Sequence, residues 1–402
     1  MKFFSYTHFV FGAAFFVGLC APLSAAAAPQ AVALEVSGWI PYWKTASGTA
    51  DALAHLDAFT EINPFGYIVK TDGTLHDAAG LTKEPWVSLI AAAKAKGVRV
   101  VPTVMWSDTN AIHKILSNQK SRIALEDEIT RTIFRGNFDG VDIDFEGKKA
   151  SDKDYFSTFL KGLYARMGNK WVMCTIEART PPADRYDRTP PPEATIYAND
   201  YVAINKYCDR VRLMTYDQGT IDVKLSRAQK DPYIPVADPQ WVERVVTLAA
   251  QSISKRKLQI GIATYGYEYE VTPLREQGYR YDVQWAFNPA YAQQLAEQYH
   301  RTPERNRAGE LSFLYMATAS TTDAANLTAS IDRALATTTF ASSTSDGNLM
   351  KAARVNIVWW SDAEAIADKI ALAKKLGVRG ISIFKIDGGE DPRMWSKLPA
   401  VR

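Results

Sequence analysis

The 402-residue sequence predicts an α/β fold, a closed (β/α)8 TIM barrel with a small α+β insertion between its seventh and eighth strands. Segments with strand and helix character alternate about eight times, which is typical of a parallel sheet with crossover helices. No Gly-x-Gly-x-x-Gly turn follows the first predicted strand, and this disfavours an open dinucleotide-binding sheet. The chain is also long enough for one large barrel with an insertion.

The predicted strands are apolar runs that end at polar or turn-forming residues. In chain order they cover 34–43, 59–69, 98–106, 138–147, 171–177, 211–217, 258–265 and 380–386. The predicted helices between them cover 51–57, 85–96, 111–136, 152–167, 241–255 and 362–376. Pro85 suits the first turn of its helix, and Gly97 suits the end of the same helix.

The insertion is predicted from the long spacing between the seventh and eighth strands, at about 267–354. It contains a helical pattern at 288–300 and an apolar run at 311–317, and polar residues follow from 318 to 348. Because a strand-and-helix unit resumes afterwards, an insertion on the catalytic face fits better than a separate downstream domain.

Residues 1–27 are predicted to be an export signal, which leaves residues 28–402 as the barrel with its insertion. Lys2 is the only charged residue before an apolar run from 9 to 23, and small residues follow at 24–28. These are the three regions of a secretory signal peptide, so the protein is expected to be secreted or to reside in the periplasm or cell envelope. The alternative is an uncleaved N-terminal anchor. No later apolar run is long enough to span a membrane.

Composition argues against several classes of partner and cofactor. A net charge of +3 gives no sign of a nucleic acid or an acidic membrane as partner. No Cys/His spacing suggests zinc, so no metal and no other cofactor is expected. Export permits a disulfide between Cys174 and Cys208, but two lone buried thiols fit the sequence as well. The protein is expected to be a monomer.

The segment from 139 to 146 carries the predicted chemistry, because apolar and acidic side chains alternate there with the period of a strand. One face holds Val141, Ile143 and Phe145, and the other holds Asp142, Asp144 and Glu146. Neighbouring acids on that face would lie about 6.7 Å apart, and like charges this close raise one another's pKa. Buried acids are costly unless they are paired, and barrels place their chemistry at the carboxyl ends of strands. The pattern therefore predicts a catalytic strand.

Two other interpretations of this segment are a solvated acidic loop and a calcium-binding loop. A solvated loop gives no reason for three large apolar residues in alternation. A calcium loop needs ligand oxygens at fixed alternate positions around a central glycine. Here Gly140 comes too early, and Ile143 and Phe145 fill the interior, so the catalytic strand is favoured.

The run Asp139-Gly140-x-Asp142-x-Asp144-x-Glu146 resembles the signature of glycoside hydrolase family 18, the chitinase-like enzymes. Three further stretches resemble the family in the required order: 214–217, 261–266 and 358–364, the last as the strand and turn that re-enter the barrel. The resemblance covers residues 35–396. The chain departs from the family pattern at Ala263, where proline is common. It also has Phe384 where a tryptophan usually floors the sugar site, so the stacking surface is expected to be smaller or rearranged.

The resemblance implies retaining hydrolysis in which the acetamido group of the substrate is the nucleophile. Glu146 is then the general acid and needs a raised pKa. Asp144 keeps that pKa raised and orients the acetamido group, and Asp142 shares a proton or hydrogen bond with Asp144 from behind. Tyr216 hydrogen-bonds the acetamido group. The implied substrate class is β-1,4-linked N-acetylglucosamine in chitin, chitin oligomers or the glycan strands of peptidoglycan.

Further residues are expected to line or support the sugar site. The candidate substrate-binding residues are Met214, Asp217, Trp39, Trp106, Phe384 and Tyr265, with Trp43, Trp360, Glu177 and Arg179 as additional candidates. Each tryptophan fits core packing equally well. Asp139 and Gly140 are expected to be structural parts of the motif, with Asp139 capping or bonding within the barrel.

Three functions compete on this sequence. The first is a secreted hydrolase of chitin or, alternatively, of peptidoglycan, because the aromatic stretch at 39–43 resembles the cell-wall-acting branch of the family. The second is a non-catalytic chitin-binding lectin, which is disfavoured because Glu146, Asp144 and Tyr216 are all present. The third, a metal-dependent deacetylase, is disfavoured because the sequence has no histidine cluster.

Overall fold

The computed structural model describes residues 33–274, 278–316 and 355–401. The predicted export signal at 1–27 and the polar stretch at 318–348 lie outside these residues. Within the described ranges, no helix is long and apolar enough to cross a membrane.

The described strands form a closed parallel barrel, which confirms the predicted fold. The first nine strands are β1 Glu35–Pro41, β2 Glu61–Val69, β3 Leu75–Asp77, β4 Arg99–Val100, β5 Thr103–Trp106, β6 Gly140–Phe145, β7 Trp171–Glu177, β8 Arg210–Met214 and β9 Leu258–Ala263. Of these, β3 pairs antiparallel with β2 and lies outside the parallel barrel, whose last strand is β15, Gly380–Phe384. This last strand pairs with β9 on one side and with β1 on the other, and β1 also pairs with β2, so the barrel closes.

The helices are α1 Thr45–Ala54, α2 Trp86–Ala95, α3 Thr109–Ser117, α4 Gln119–Arg135, α5 Lys153–Met167, α6 Pro182–Arg185, α7 Tyr201–Tyr207, α8 Val223–Arg227, α9 Pro239–Ala249, α10 Pro289–Gln298 and α11 Ala363–Leu376. Three short helices, α6, α7 and α8, were not predicted, and α9 ends at Ala249 rather than at 255. Two further differences concern the first half of the chain. The helix expected at 111–136 is two helices, because Asn118 has an extended backbone and its side chain accepts a hydrogen bond from the Ser121 N–H, which caps α4. The first helix begins at Thr45 rather than at 51.

The insertion contains a five-stranded antiparallel sheet with the order β11-β10-β14-β13-β12. Its strands are β10 Gly266–Pro273, β11 Tyr279–Phe287, β12 Glu304–Arg305, β13 Leu311–Met316 and β14 Val355–Trp360. The expected boundary near 354 is too early, because β14 is the central strand of this sheet and Trp360 pairs with Gly266. For the same reason the strand part of 358–364 belongs to the insertion, and the chain returns to the barrel only with α11.

A disulfide joins Cys174 on β7 to Cys208 at the end of α7. Both residues are fully buried, and their Cα atoms lie 5.9 Å apart. The sequence was equally compatible with a disulfide and with two lone thiols, and the structure contains the disulfide. It ties the strand after the catalytic one to the helix that leads into β8.

Replacing both cysteines with alanine should lower the free energy of unfolding by about 2–4 kcal/mol, because the bond closes a long loop in the unfolded chain. Urea unfolding followed by circular dichroism measures the loss. Wild-type protein unfolded with a reductant is the control and should lose a similar amount. Equal stabilities of the oxidised and reduced wild type would contradict the pairing.

Candidate active site

The predicted catalytic strand is β6, which lies between β5 and β7 in the barrel. Its apolar side chains are buried on the helix side, where Phe145 stacks on Phe159 of α5 at 5.2 Å. Its acidic side chains point the other way and differ in depth. Asp142 is 0% exposed and Asp144 is 3% exposed, whereas Glu146, just beyond the strand, is half-buried.

Asp142 is held by four donors inside the barrel. It accepts hydrogen bonds from Trp39 Nε1 at 3.0 Å, from Thr103 Oγ1 at 2.9 Å and from Thr175 Oγ1 at 2.8 Å. Its Oδ1 atom also lies 2.9 Å from a guanidinium nitrogen of Arg212. In the part of the chain that the structure describes, both oxygens are thus bonded to donors other than Asp144. The expected proton or hydrogen bond shared with Asp144 is not among these contacts of the described residues, and the charge of Asp142 raises the pKa of Asp144.

Arg212 was not among the predicted site residues, yet it lies fully buried at the centre of this arrangement. Besides Asp142 it forms an ion pair with Glu61 of β2 and donates a hydrogen bond to Gln259 Oε1 at 3.2 Å. A buried arginine needs such partners because an unpaired buried charge is costly. Its signal in the sequence is an arginine in the middle of a predicted buried strand, two residues before Met214.

Asp144 has a raised pKa and one carboxyl oxygen, Oδ1, that has no hydrogen-bond partner among the described residues. Burial raises its pKa well above the usual range, and the charges of Glu146 and Asp142 raise that pKa further. Its Oδ1 atom is buried without a hydrogen-bond partner among the described residues. Buried polar atoms are usually bonded, so this oxygen is available to a donor on a ligand, such as an amide N–H.

Glu146 has the raised pKa that a general acid needs. Burial is the largest cause, and the carboxylates of Glu177 and Asp217 also raise the pKa. The charge of Lys148 and a hydrogen bond with Asp144 lower it. The expectation that Asp144 keeps this pKa raised is therefore wrong, because that acid bonds to Glu146 and the increase comes from burial and the other carboxylates. The net effect favours the protonated carboxyl group, which can then donate its proton.

The segments after β8 and β9 bring three tyrosines and an aspartate to the same region. Burial raises the pKa of Tyr216 well above its usual range, so its hydroxyl keeps its proton. Asp217 has a left-handed backbone with φ of 56°. Its Oδ1 atom accepts hydrogen bonds from the hydroxyls of Tyr265 at 2.7 Å and Tyr267 at 2.8 Å. Tyr267 was not among the predicted site residues. Met214, which was, is the last residue of β8 and is half-buried.

Phe384 ends β15 at the carboxyl edge of the barrel and is half-buried. Its ring stacks on that of Tyr216 with centroids 5.6 Å apart, and it meets Trp39 edge-on at 5.9 Å. Phe65 lies 6.3 Å from it and bridges to Trp43, whose exposed fraction of 48% makes it an accessible ring. Phe384 and Trp43 are therefore the aromatic residues placed to contact a ligand here.

Three of the candidate tryptophans are not available for stacking on a sugar. Trp106 is 1% exposed and packs against Phe145 at 5.3 Å, because the alternation along β5 turns it toward the helices. Trp360 is buried in the core of the insertion sheet. Trp39 is also buried and supports the site by its hydrogen bond to Asp142.

Asp139 and Gly140 have structural contacts. Asp139 Oδ2 accepts a hydrogen bond from the Val100 N–H at 2.7 Å, which joins the start of β6 to β4. A side-chain carbon at Gly140 would collide with the backbone oxygen of Trp171, so glycine is required there. Both residues set the register of the catalytic strand.

Glu177 ends β7, Arg179 follows it, and both side chains bind other protein groups. Glu177 accepts hydrogen bonds from the Gly147 N–H at 3.1 Å and from Asn199 Nδ2 at 2.7 Å. The guanidinium of Arg179 lies 3.4 Å from the ring centroid of Tyr197 and donates to the Asn199 carbonyl at 2.8 Å. These contacts order the loop beside Glu146.

The described residues contain no group of three or more His, Cys, Asp or Glu side chains that could hold a metal ion. A carboxyl group with a raised pKa beside a buried acid, at the carboxyl ends of barrel strands, is an arrangement that glycosidases use. The chain belongs to glycosyl hydrolases family 18, whose model matches residues 38–389.

Comparison with known proteins agrees with this family. The cortical fragment-lytic enzyme of Bacillus subtilis (strain 168) is 24% identical over 358 residues, which cover 84% of this chain and 67% of that protein. The spore cortex-lytic enzyme SleL of Bacillus cereus has a TM-score of 0.65 at 20% identity, covering 91% of this chain and 73% of that chain. A chitinase from Chromobacterium violaceum ATCC 12472 has a TM-score of 0.67 at 18% identity, covering 91% and 98%. At these identities the structural likeness shows the shared fold.

Replacing Arg212 with methionine should cost about 3–5 kcal/mol of unfolding free energy, because it leaves the buried carboxylate of Asp142 without its cation and leaves Glu61 with Arg99 alone. Chemical denaturation measures the loss. The control is Arg131→Met, which breaks an exposed pair with Glu128 and should cost at most about 1 kcal/mol. Similar losses for the two variants would count against a central role for Arg212.

Proposed function

We propose that the enzyme hydrolyses β-1,4 bonds in glycans that contain N-acetylglucosamine, by substrate-assisted retaining catalysis. The observation that carries this proposal is the grouping of three side chains at the barrel mouth. Glu146 favours its protonated form, Asp144 has a free buried acceptor, and Tyr216 keeps its hydroxyl proton. Together they supply an acid, an acceptor for an amide N–H and a donor for an amide carbonyl.

In the first step Glu146 gives its proton to the glycosidic oxygen, and the bond from that oxygen to the anomeric carbon breaks. The carbonyl oxygen of the neighbouring acetamido group forms a bond to the same carbon. Asp144 accepts the acetamido N–H and orients the group, while Tyr216 donates to the carbonyl side. The leaving sugar departs as an alcohol. The positive charge of the cyclic intermediate lies beside Asp144 and stabilises the ionised form of that acid, which burial disfavours in the free enzyme.

In the second step a water molecule attacks the anomeric carbon from the side that the leaving sugar has vacated. The Glu146 carboxylate takes the proton of that water as general base, and the carbon–oxygen bond to the acetamido group breaks. Two displacements at the same carbon leave its configuration unchanged. Glu146 is again protonated, so the site is ready for another turnover.

The proposed polymer is chitin or its oligomers. Peptidoglycan is a second candidate, and the specific observation in its favour is the likeness to the cortical fragment-lytic enzyme and to SleL. Product analysis by mass spectrometry on chitin oligomers beside purified peptidoglycan separates the two. Cleavage of chitin oligomers supports the first candidate, and cleavage of peptidoglycan alone replaces it with the second.

We also propose that the enzyme is exported and acts as a monomer. The charged start, apolar run and small residues of the first 28 positions support export. The N-terminal sequence of the protein recovered outside the cytoplasm should begin at residue 27 or 28, and size-exclusion chromatography with light scattering should give the monomer mass.

A lectin without catalysis is the alternative of another class, and the complete acid grouping argues against it.

Glu146→Gln should reduce hydrolysis of chitin oligomers by about 10²- to 10⁴-fold in kcat, because the amide cannot donate the proton that the leaving oxygen needs. The fold should be unchanged by circular dichroism. Glu128→Gln, which makes the same chemical change on the exposed surface of α4, is the matched control and should keep wild-type turnover. Near-normal turnover by the Glu146 variant would contradict the assignment of Glu146 as the general acid.

A further inference from the structure

The turn that follows Glu146 is held from both sides. The Gly147 carbonyl accepts a hydrogen bond from Thr109 Oγ1 at 2.7 Å, and the Gly147 N–H donates to Glu177 Oε1 at 3.1 Å. Gly147 has a φ of 65°, a conformation that favours glycine. The peptide next to the general acid is therefore fixed by α3 on one side and by the end of β7 on the other.

The second oxygen of Glu177 also binds protein groups. Asn199 Nδ2 donates to it at 2.7 Å, and Lys148 Nζ lies 3.6 Å away. The Lys148 side chain is only 1% exposed and lies with its ammonium 4.8 Å from the ring centroid of Phe156. Both oxygens of Glu177 thus already have donors from the protein. Glu177 therefore acts on the site through its negative charge and through its hydrogen bond to the turn.

We propose that Glu177 is a positioning residue for the general acid: its carboxylate holds the turn after Glu146 and places a negative charge beside that acid, opposite the buried ammonium of Lys148. The proposal rests on the proposed role of Glu146. It gives Glu177 a function other than the direct substrate contact expected from the sequence.

The charged groups around Glu146 come from four places in the fold. Asp144 precedes it on β6, Lys148 follows it, Glu177 ends β7, and Asp217 follows β8. Glu177 raises and Lys148 lowers the pKa of both Glu146 and Asp144. The two acids titrate as a pair, so the predicted sign is the same whichever of them is observed.

Glu177→Gln keeps an oxygen for the Gly147 N–H and removes the charge. A lower pKa means that the acid loses its proton at lower pH, so the basic limb of the kcat/KM profile on chitin oligomers should move to lower pH. Lys148→Met removes the opposing charge, and the same limb should move to higher pH. Each shift should be roughly half a pH unit or more.

Asn199→Ala is the control for a merely structural effect, because it removes one partner of Glu177 and leaves its charge; the limb should stay in place. The proposal is overturned if Glu177→Gln lowers kcat equally at every pH without moving the limb. It is also overturned if the Glu177 and Lys148 variants move the limb in the same direction.

A second measurement does not require turnover. The side-chain carboxyl carbon of Glu146 in ¹³C-glutamate-labelled protein can be titrated by NMR and assigned by its absence in Glu146→Gln. Its midpoint should fall in Glu177→Gln and rise in Lys148→Met, and unchanged midpoints in both would overturn the proposal. A protein that cleaves no glycan would remove the proposed function, and the NMR titration would still decide this inference.

Discussion

The ion pair between Asp142 and Arg212 in the barrel interior is the interaction on which the site depends. A carboxylate with no exposure needs its charge balanced, and Arg212 supplies that balance while it also binds Glu61 and Gln259. Strands β2, β6, β8 and β9 meet through this one side chain. Closure of the barrel therefore fixes the position of β6. The same closure fixes the positions of Asp144 and Glu146, which follow Asp142 on that strand.

Three acids on one strand face acquire different properties because their depth and partners differ. Asp142 is ion-paired and fully hydrogen-bonded, so it serves as a fixed charge. Asp144 lies next in line with one oxygen free and a raised pKa. Glu146 lies at the end of the strand, half-buried and near both Glu177 and Lys148. A proton donor and an acceptor for the substrate amide can thus come from residues of nearly the same chemistry.

Local pattern in the sequence was enough to predict the barrel and the acidic strand β6, because the period of two fixes which side chains share a face. Contacts between distant segments were not predictable in this way. The role of Arg212 depends on which strands face it across the barrel, and the face of Trp106 depends on the register of β5 against β6. The end of the insertion at Trp360 depends on its pairing with Gly266, far away in the chain.

The central claim is that the acetamido group of the substrate, with Glu146 as acid and then as base, carries out two displacements at one carbon. The most direct measurement is the anomeric configuration of the first product, followed by proton NMR during cleavage of N-acetylglucosamine oligomers before mutarotation. We predict that the new reducing end forms as the β-anomer, which is retention. An initial α-anomer would show a single displacement by water and would contradict this mechanism.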